Sequence, residues 1–437
     1  MSKNKKTKIQ SRDIPHNYSR QRYFIFFFAF LVLYNFIVVN KFHIWQADVI
    51  TISYHLVDFS FGFCTKLLPG AIYNFFFPKV IDWQVTAYET ALLLLFFVFL
   101  AYTLAGKVTA YRDYEARKTM LILCMFYISG ACTFAAFTYE LGMLDTYWVF
   151  LAAVFLAAMK NKYFKFTVPV ICVLSILVHF GSLPSYIVFF MLILLYEISA
   201  AKTTSSRIQL LAIFAVSLLT IGVCSVYFVT HEQSNLVYTM EEFDSIIKDR
   251  SRYLSENANY FAYYNYALYR DFPSGLSEQT QQFAASLDAR LPAFLANAIR
   301  TLIDQIGTIR TYTEDNNLLD GRIIQFLILS ALLLPILVFL YGFWIHKIKT
   351  TEKNFLKRLV FFLTMVQFPF TLFVSFLFSD DVVRWYTHAF LVHSTIFLYV
   401  LSKENDMPYV KNRIKQYNPH LLFLYYLAYA LLMIAPY

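Results

Sequence analysis

The sequence predicts an all-α fold: a polytopic transmembrane helical bundle of about eleven spans carrying a helical loop domain at its outer face. Three observations predict it. Apolar runs rich in Phe, Leu, Ile and Tyr recur along the 437 residues, only 15% of the chain is charged, and the basic residues fall mostly in alternate gaps between the runs. A soluble domain averages roughly 25% charged residues, so a chain that is 59% hydrophobic belongs in lipid.

Crossing a bilayer takes about 20 mostly apolar residues. The runs at 23–39, 87–105, 119–139, 146–159, 166–178, 183–198, 209–229, 323–345, 359–378, 386–401 and 421–436 meet or approach that length. No Gly/Ser-rich or Pro-rich linker divides the chain and no repeat recurs at a fixed period. The expected organisation is a basic tail over 1–22, a first membrane part over 23–229 with an interfacial segment at 40–86, a loop domain over 230–322 and a second membrane part over 323–437.

Orientation follows from charge. Six gaps on the side of the N-terminus hold 25 of the 37 Lys and Arg, whereas the gaps at 140–146 and 179–183 hold none. The positive-inside rule then places the N-terminus in the cytoplasm and the C-terminus outside, in a multi-pass protein of the cytoplasmic (inner) membrane. The loop at 230–322 carries 8 basic residues, and so long a segment translocates regardless of charge. The net charge of +9 is placed for anionic headgroups, so nucleic acid is not an expected partner. No small-residue cleavage site follows the basic tail, so the first run is expected to stay as an anchor. Cys124, Cys132, Cys172 and Cys224 fall in spans and Cys64 stands alone outside them, which indicates neither a disulfide framework nor a zinc site.

In the first outer segment Val49, Ile52, Leu56, Phe59 and Phe63 recur at helical spacing, with Asp48, Thr51, His55, Asp58 and Gly62 on the adjacent sector. The spacing predicts an interfacial helix whose Asp48, His55 and Asp58 face an aqueous cavity. Lys66 and the run Leu67-Leu68-Pro69-Gly70 end it, and 71–77 is too short to span. In the large loop, 241–270 and 276–309 read as amphipathic helices.

Polar groups collect at the outer ends of the runs. Asp58 is the best-placed base for an acceptor hydroxyl, with Asp48 or His55 able to take the same role. Glu89 sits just inside the second run. Arg384 either pairs with Asp380 or Asp381 or forks onto a phosphate, for which its planar guanidinium is suited. His179 ends a run, as an interfacial histidine or a ligand group. Glu140 and Asp145 bound a short turn that is either solvated or glycan-binding, and Tyr263, Tyr264 and Tyr266 offer rings either to sugars or to the membrane surface. No G-x-x-x-x-G-K-[ST], H-E-x-x-H or G-x-S-x-G is present.

The stretch from Val57-Asp58-Phe59 through Gly62 to Pro69-Gly70, the turn Leu141-Gly142-Met143-Leu144-Asp145, the pair Val178-His179 and the run Asp381-Val382-Val383-Arg384-Trp385 resemble bacterial membrane proteins of capsule and surface-polysaccharide assembly. In architecture the chain is also similar to GT-C glycosyltransferases and Wzy-type polymerases. The resemblance implies a polyprenyl-phosphate- or polyprenyl-diphosphate-linked sugar or glycan donor, a glycan acceptor and transfer at the outer face among membrane lipids. It maps the catalytic acid to Asp58 or Asp48 and the phosphate-binding group to Arg384, with Lys66 where the looser group has an arginine. The chain lacks a D-x-D in the first loop, and Phe180 follows His179 where an acid would stand. No metal-ligating motif is present; a divalent cation is the one cofactor that would suit a leaving phosphate. A flippase of lipid-linked glycan, or a non-catalytic subunit of an assembly complex, would share the topology. A transporter is expected to carry ionisable groups or broken helices near the bilayer centre, where these runs read as almost free of charge.

Overall fold

The computed structural model describes residues 16–130, 132–133, 141–231, 239–254, 286, 291, 299, 318–351, 354–378 and 382–432. Among these the fold is all-helical, without a strand. Helix α1 (His16–Tyr34) runs on through a π-helical turn at Asn35–Val39, where buried Asn35 donates its side-chain amide to the Leu31 carbonyl at 2.7 Å. Two short helices follow, α2 (Val49–His55) and α3 (Leu68–Phe76). Helix α4 (Asp82–Thr109) has Asp82 in its first turn and Lys107 in its last, each complementing the helix dipole.

Helix α5 (Tyr114–Ile128) starts where the Asp113 carboxylate accepts from the Ala116 amide at 3.1 Å. Then come α6 (Leu144–Lys160), α7 (Val168–Val178), α8 (Val188–Ala200) and α9 (Thr204–His231). In the large loop α10 (Met240–Arg250) opens with a capping box between Thr239 and Glu242. The chain continues with α11 (Leu318–Thr350), α12 (Phe355–Phe378), α13 (Val382–Lys403), α14 (Met407–Lys415) and α15 (Pro419–Leu431).

Six helices among the described residues are long and apolar enough to cross a membrane: Ser19–Val39, Asp82–Thr109, Phe180–Ala200, Thr204–Phe228, Ile323–Thr350 and Phe355–Val374. This is a membrane protein by that criterion. Phe164–Val178 and Pro419–Leu431 are apolar but shorter. At 1.5 Å per residue, a 13-residue helix such as α15 reaches about 20 Å, less than the roughly 30 Å hydrocarbon core.

The bundle is knit by α1 along α4, α9 along α7 and α8, and α12 between α8, α11 and α13. Its two ends differ in chemistry. At the basic end, Lys347 of α11 lies 3.1 Å from Glu404 and 2.8 Å from Asp406, and Tyr196 of α8 donates to Glu404 at 2.7 Å. Burial opposes ionisation of Glu404, but hydrogen bonds from Lys357 and Tyr196 and the charge of Lys347 outweigh it and hold the carboxyl below its usual range.

The opposite end carries the segment between α1 and α4, which has a small core of its own. Ile52, Leu56, Phe61, Leu67 and Tyr73 pack there with Ile247 and Leu254 from the large loop. The continuous helix expected over residues 49–63 is not formed. It stops at His55, because Leu56 and Val57 turn into this core and Gly62 takes a φ of +139°. Helix α3 covers most of the short apolar stretch expected at 71–77 but starts earlier: Leu68-Pro69-Gly70, expected to end the preceding helix, form its first turn because proline suits a helix start, and Lys66, at a φ of +70°, makes the turn before it.

Candidate functional site

Helix α6 starts at Leu144 and sends polar side chains to two sides of its first turns. Asp145, 2% exposed, receives the Nε and Nη2 hydrogens of Arg384 on α13, the latter at 2.9 Å. One turn along α13, His388 places Nε2 3.2 Å from the same carboxylate, and its Nδ1 lies 3.1 Å from the Tyr186 hydroxyl. Aromatic rings pack around this cluster. Trp148 lies 5.3 Å from the His388 ring and 5.9 Å from that of His179, and Trp385 lies 5.4 Å from His388.

On the other side, Tyr147 donates its hydroxyl to Glu89 Oε1 at 2.7 Å, and His55 Nε2 lies 2.9 Å from the same oxygen. Both Glu89 and His55 are 0% exposed. Because His55 Nδ1 faces the Thr51 carbonyl at 2.8 Å, Nδ1 must be the donor there. A proton must then sit between Nε2 and the carboxylate, on one or the other. The pair is therefore hydrogen-bonded within the wall of the bundle.

Glu89 Oε2 is buried without a hydrogen-bond partner, as is Thr51 Oγ1 beside it. Gly142, at a φ of +85°, makes this approach possible. A Cβ there would lie 2.6 Å from Glu89 Cγ and 2.5 Å from Thr51 Cγ2.

Asp58 has other partners. Its Oδ1 accepts from the Ser60 amide at 2.9 Å and from the Ser60 hydroxyl, and its Oδ2 accepts from Asn74 at 2.8 Å and Arg250 at 3.0 Å. Burial opposes its ionisation, but the Ser60 hydrogen bonds, the Arg250 charge and Asn74 together hold the carboxyl below its usual range. A carboxylate with both oxygens engaged is a tether, and here it ties the large loop to the first segment. Arg250 completes the tie by donating to the Leu56 carbonyl at 2.8 Å.

Asp48 caps α2, accepting from the Thr51 amide at 2.7 Å, and is exposed. Of the three groups expected to share an aqueous cavity, Asp48 is exposed, Asp58 is tied to Arg250 and His55 is wholly buried against Glu89; the rings of Tyr73 and Tyr88 cover His55 at 5.0 and 6.0 Å. The Lys66 amide donates to the Leu177 carbonyl at 2.8 Å, which brings Lys66 and His179 to one corner. His179 Nδ1 accepts from the Gly181 amide at 2.9 Å, so its other ring nitrogen carries the hydrogen. Asp145, not a neighbouring acid in sequence, takes the Arg384 fork. Glu140, Tyr263, Tyr264, Tyr266, Asp380 and Asp381 lie outside the described residues.

No family model, no curated protein and no solved structure matches this chain. The site therefore rests on its own geometry. Sequence reasoning named Glu89 without a role and passed over Tyr147, Tyr186 and His388. Two signals were present: Glu89 is the only Asp, Glu, Lys or Arg between Asp82 and Lys107, and Arg384 and His388 stand four apart on one helix. Among the described residues no group of three or more His, Cys, Asp and Glu is placed to hold a metal ion.

Proposed function

We propose that the chain is a membrane-embedded glycosyltransferase or polysaccharide polymerase that draws on polyprenyl-phosphate- or polyprenyl-diphosphate-linked sugar at the outer face of the cytoplasmic membrane. In this reading the bundle has a GT-C-like plan with about eleven spans, the N-terminus in the cytoplasm and the C-terminus outside. The observation that carries it is the buried contact of His55 Nε2 with Glu89 Oε1 at 2.9 Å, beside a carboxylate oxygen without a hydrogen-bond partner. An ionisable group at the bilayer centre costs about 2.5 to 3.5 kcal/mol on insertion scales, so a buried one kept inside a membrane helix is a functional candidate by default.

The roles divide between the two sides of α6. Glu89 with His55 takes the acceptor hydroxyl's proton through Tyr147, whose hydroxyl reaches Glu89 Oε1 at 2.7 Å. The acceptor oxygen then bonds to the anomeric carbon, the bond from that carbon to the phosphate oxygen breaks, and the polyprenyl phosphate or diphosphate leaves with the electron pair. Arg384, a quarter exposed and braced by Asp145, meets the developing phosphate charge, with His388 and His179 beside it. Asp58 holds the large loop over the site in place of acting as base.

A lipid-linked glycan transporter is the second reading, and one observation favours it. Proline stands inside α11 and α12 at Pro335 and Pro369, and buried His393 and Gln367 lie mid-helix, with Gln367 donating to Thr371 at 3.1 Å. The helix centres are thus more polar than the sequence reading held. Proteoliposomes given a polyprenyl-linked sugar and a glycan acceptor separate the two readings. Elongated glycan with release of polyprenyl phosphate supports transfer, whereas donor crossing the bilayer without elongation supports transport.

A further inference from the structure

The basic end holds a second cluster that this reading does not use. Lys107, in the last turn of α4, donates Nζ to the Leu398 carbonyl at 2.9 Å. Arg20 of α1 lies over the Tyr102 ring at 4.0 Å and against Gly106, and its Nε is buried without a hydrogen-bond partner. Lys160 ends α6 at the same end, where it feels the charge of Lys403 and Arg20 and adds to the charge felt by Lys107. Among the described residues none of these three cations has a carboxylate at ion-pair distance, whereas Lys347, Lys403, Lys411 and Lys415 at the same end each have one. Among the described residues no ion pair of their own offsets the repulsion among them.

Beside Lys107 opens an apolar crevice of about 80 Å³ between α4, α6 and α13, lined by Leu100, Leu104, Leu156, Leu391 and Leu398. We infer that Arg20, Lys107 and Lys160 with this crevice form a binding site for an anionic phospholipid. Its phosphate lies on the three cations and the first methylenes of a chain enter the crevice. A phosphate removes the repulsion, and at a membrane surface the anion present in excess is a lipid headgroup. The leucines line a mostly apolar wall for the chain, with Thr103, Thr395 and Tyr127 as the nearest hydroxyls.

The test uses the full chain purified in neutral detergent, with bound lipid identified by native mass spectrometry after titration with phosphatidylglycerol or phosphatidylcholine. Phosphatidylglycerol is expected to be retained selectively, and Lys107→Gln or Arg20→Gln to weaken it about fivefold each, as loss of one cation near a headgroup does. Lys160→Gln, at an exposed helix end, gives the same reading should the other variants fold poorly, and Lys411→Gln, a lysine paired with Asp113, leaves retention unchanged. Equal binding of both lipids, or unchanged retention in Lys160→Gln, overturns the inference. So does displacement of phosphatidylglycerol by equimolar inorganic phosphate or polyprenyl phosphate, which would assign the cations to a different anion.

Discussion

The Tyr147 hydroxyl donates to Glu89 Oε1 across 2.7 Å, binding the first turns of α6 to the wall of α4. Two residues earlier on α6, Asp145 binds α13 through Arg384. One helix start thus joins the buried Glu89 and His55 pair to a guanidinium, and the loop residue Gly142 closes against both Thr51 and Glu89. The predictions follow from those joints.

The Asp145 and Arg384 pair should behave as a buried ion pair. Asp145→Ala leaves a largely buried guanidinium without its carboxylate and should cost about 3 to 5 kcal/mol, while Asp145→Ala combined with Arg384→Ala should cost less than the sum of the single changes. Thermal unfolding of the four proteins in detergent measures the coupling. Strict additivity would show that the pair contributes nothing beyond its separate groups.

Gly142→Ala forces a side chain into a positive φ and onto Glu89 and Thr51. It should destabilise the chain by more than about 1 kcal/mol, since alanine cannot take this conformation without strain. Product formation should fall with it. Gly106→Ala, which meets only the end of the Arg20 side chain, should be tolerated in the same unfolding assay.

The tie between Asp58 and Arg250 should depend on pH in one direction. Asp58 is held below its usual range, so its contribution is complete above the unfolded carboxyl's value of about 3.9 and is lost as pH falls through the folded one. Hydrogen exchange of residues 240–254 should accelerate below about pH 4, and Asp58→Asn should show fast exchange at every pH.

Much of the fold was legible in the sequence because lipid imposes a simple rule on length and charge. The all-helical fold and its long apolar helices followed from it, six of them long enough to cross a membrane among the described residues. The partners did not. Arg384 finds its acid 239 positions away in sequence, a pairing that local spacing cannot show. His55 was expected to face water because periodicity assigns a side chain to a sector without saying what covers it, and here Tyr73 of α3 and Tyr88 of α4 do. The partners of Asp58 were not legible either, since Ser60, Asn74 and Arg250 reach its oxygens only through the turn and the fold.

Topology makes a separate prediction. Cysteine placed at Lys162, between α6 and α7, should react with a membrane-impermeant maleimide only from the cytoplasmic side, and cysteine at Gln46, before α2, only from outside. Cys64, Cys124, Cys132 and Cys172 are buried and Cys224 is half-buried, which keeps the background low. Labelling of both positions from one side would contradict the orientation.

The most direct test is sugar transfer by Glu89→Gln beside the unaltered chain, in proteoliposomes supplied with a polyprenyl-linked donor and a glycan acceptor. Glutamine keeps the shape and a contact to Tyr147 but cannot share the His55 proton, so transfer should fall by at least about a hundredfold, the lower range for a lost general base, with folded protein unchanged. Transfer at the unaltered rate by Glu89→Gln would contradict the account.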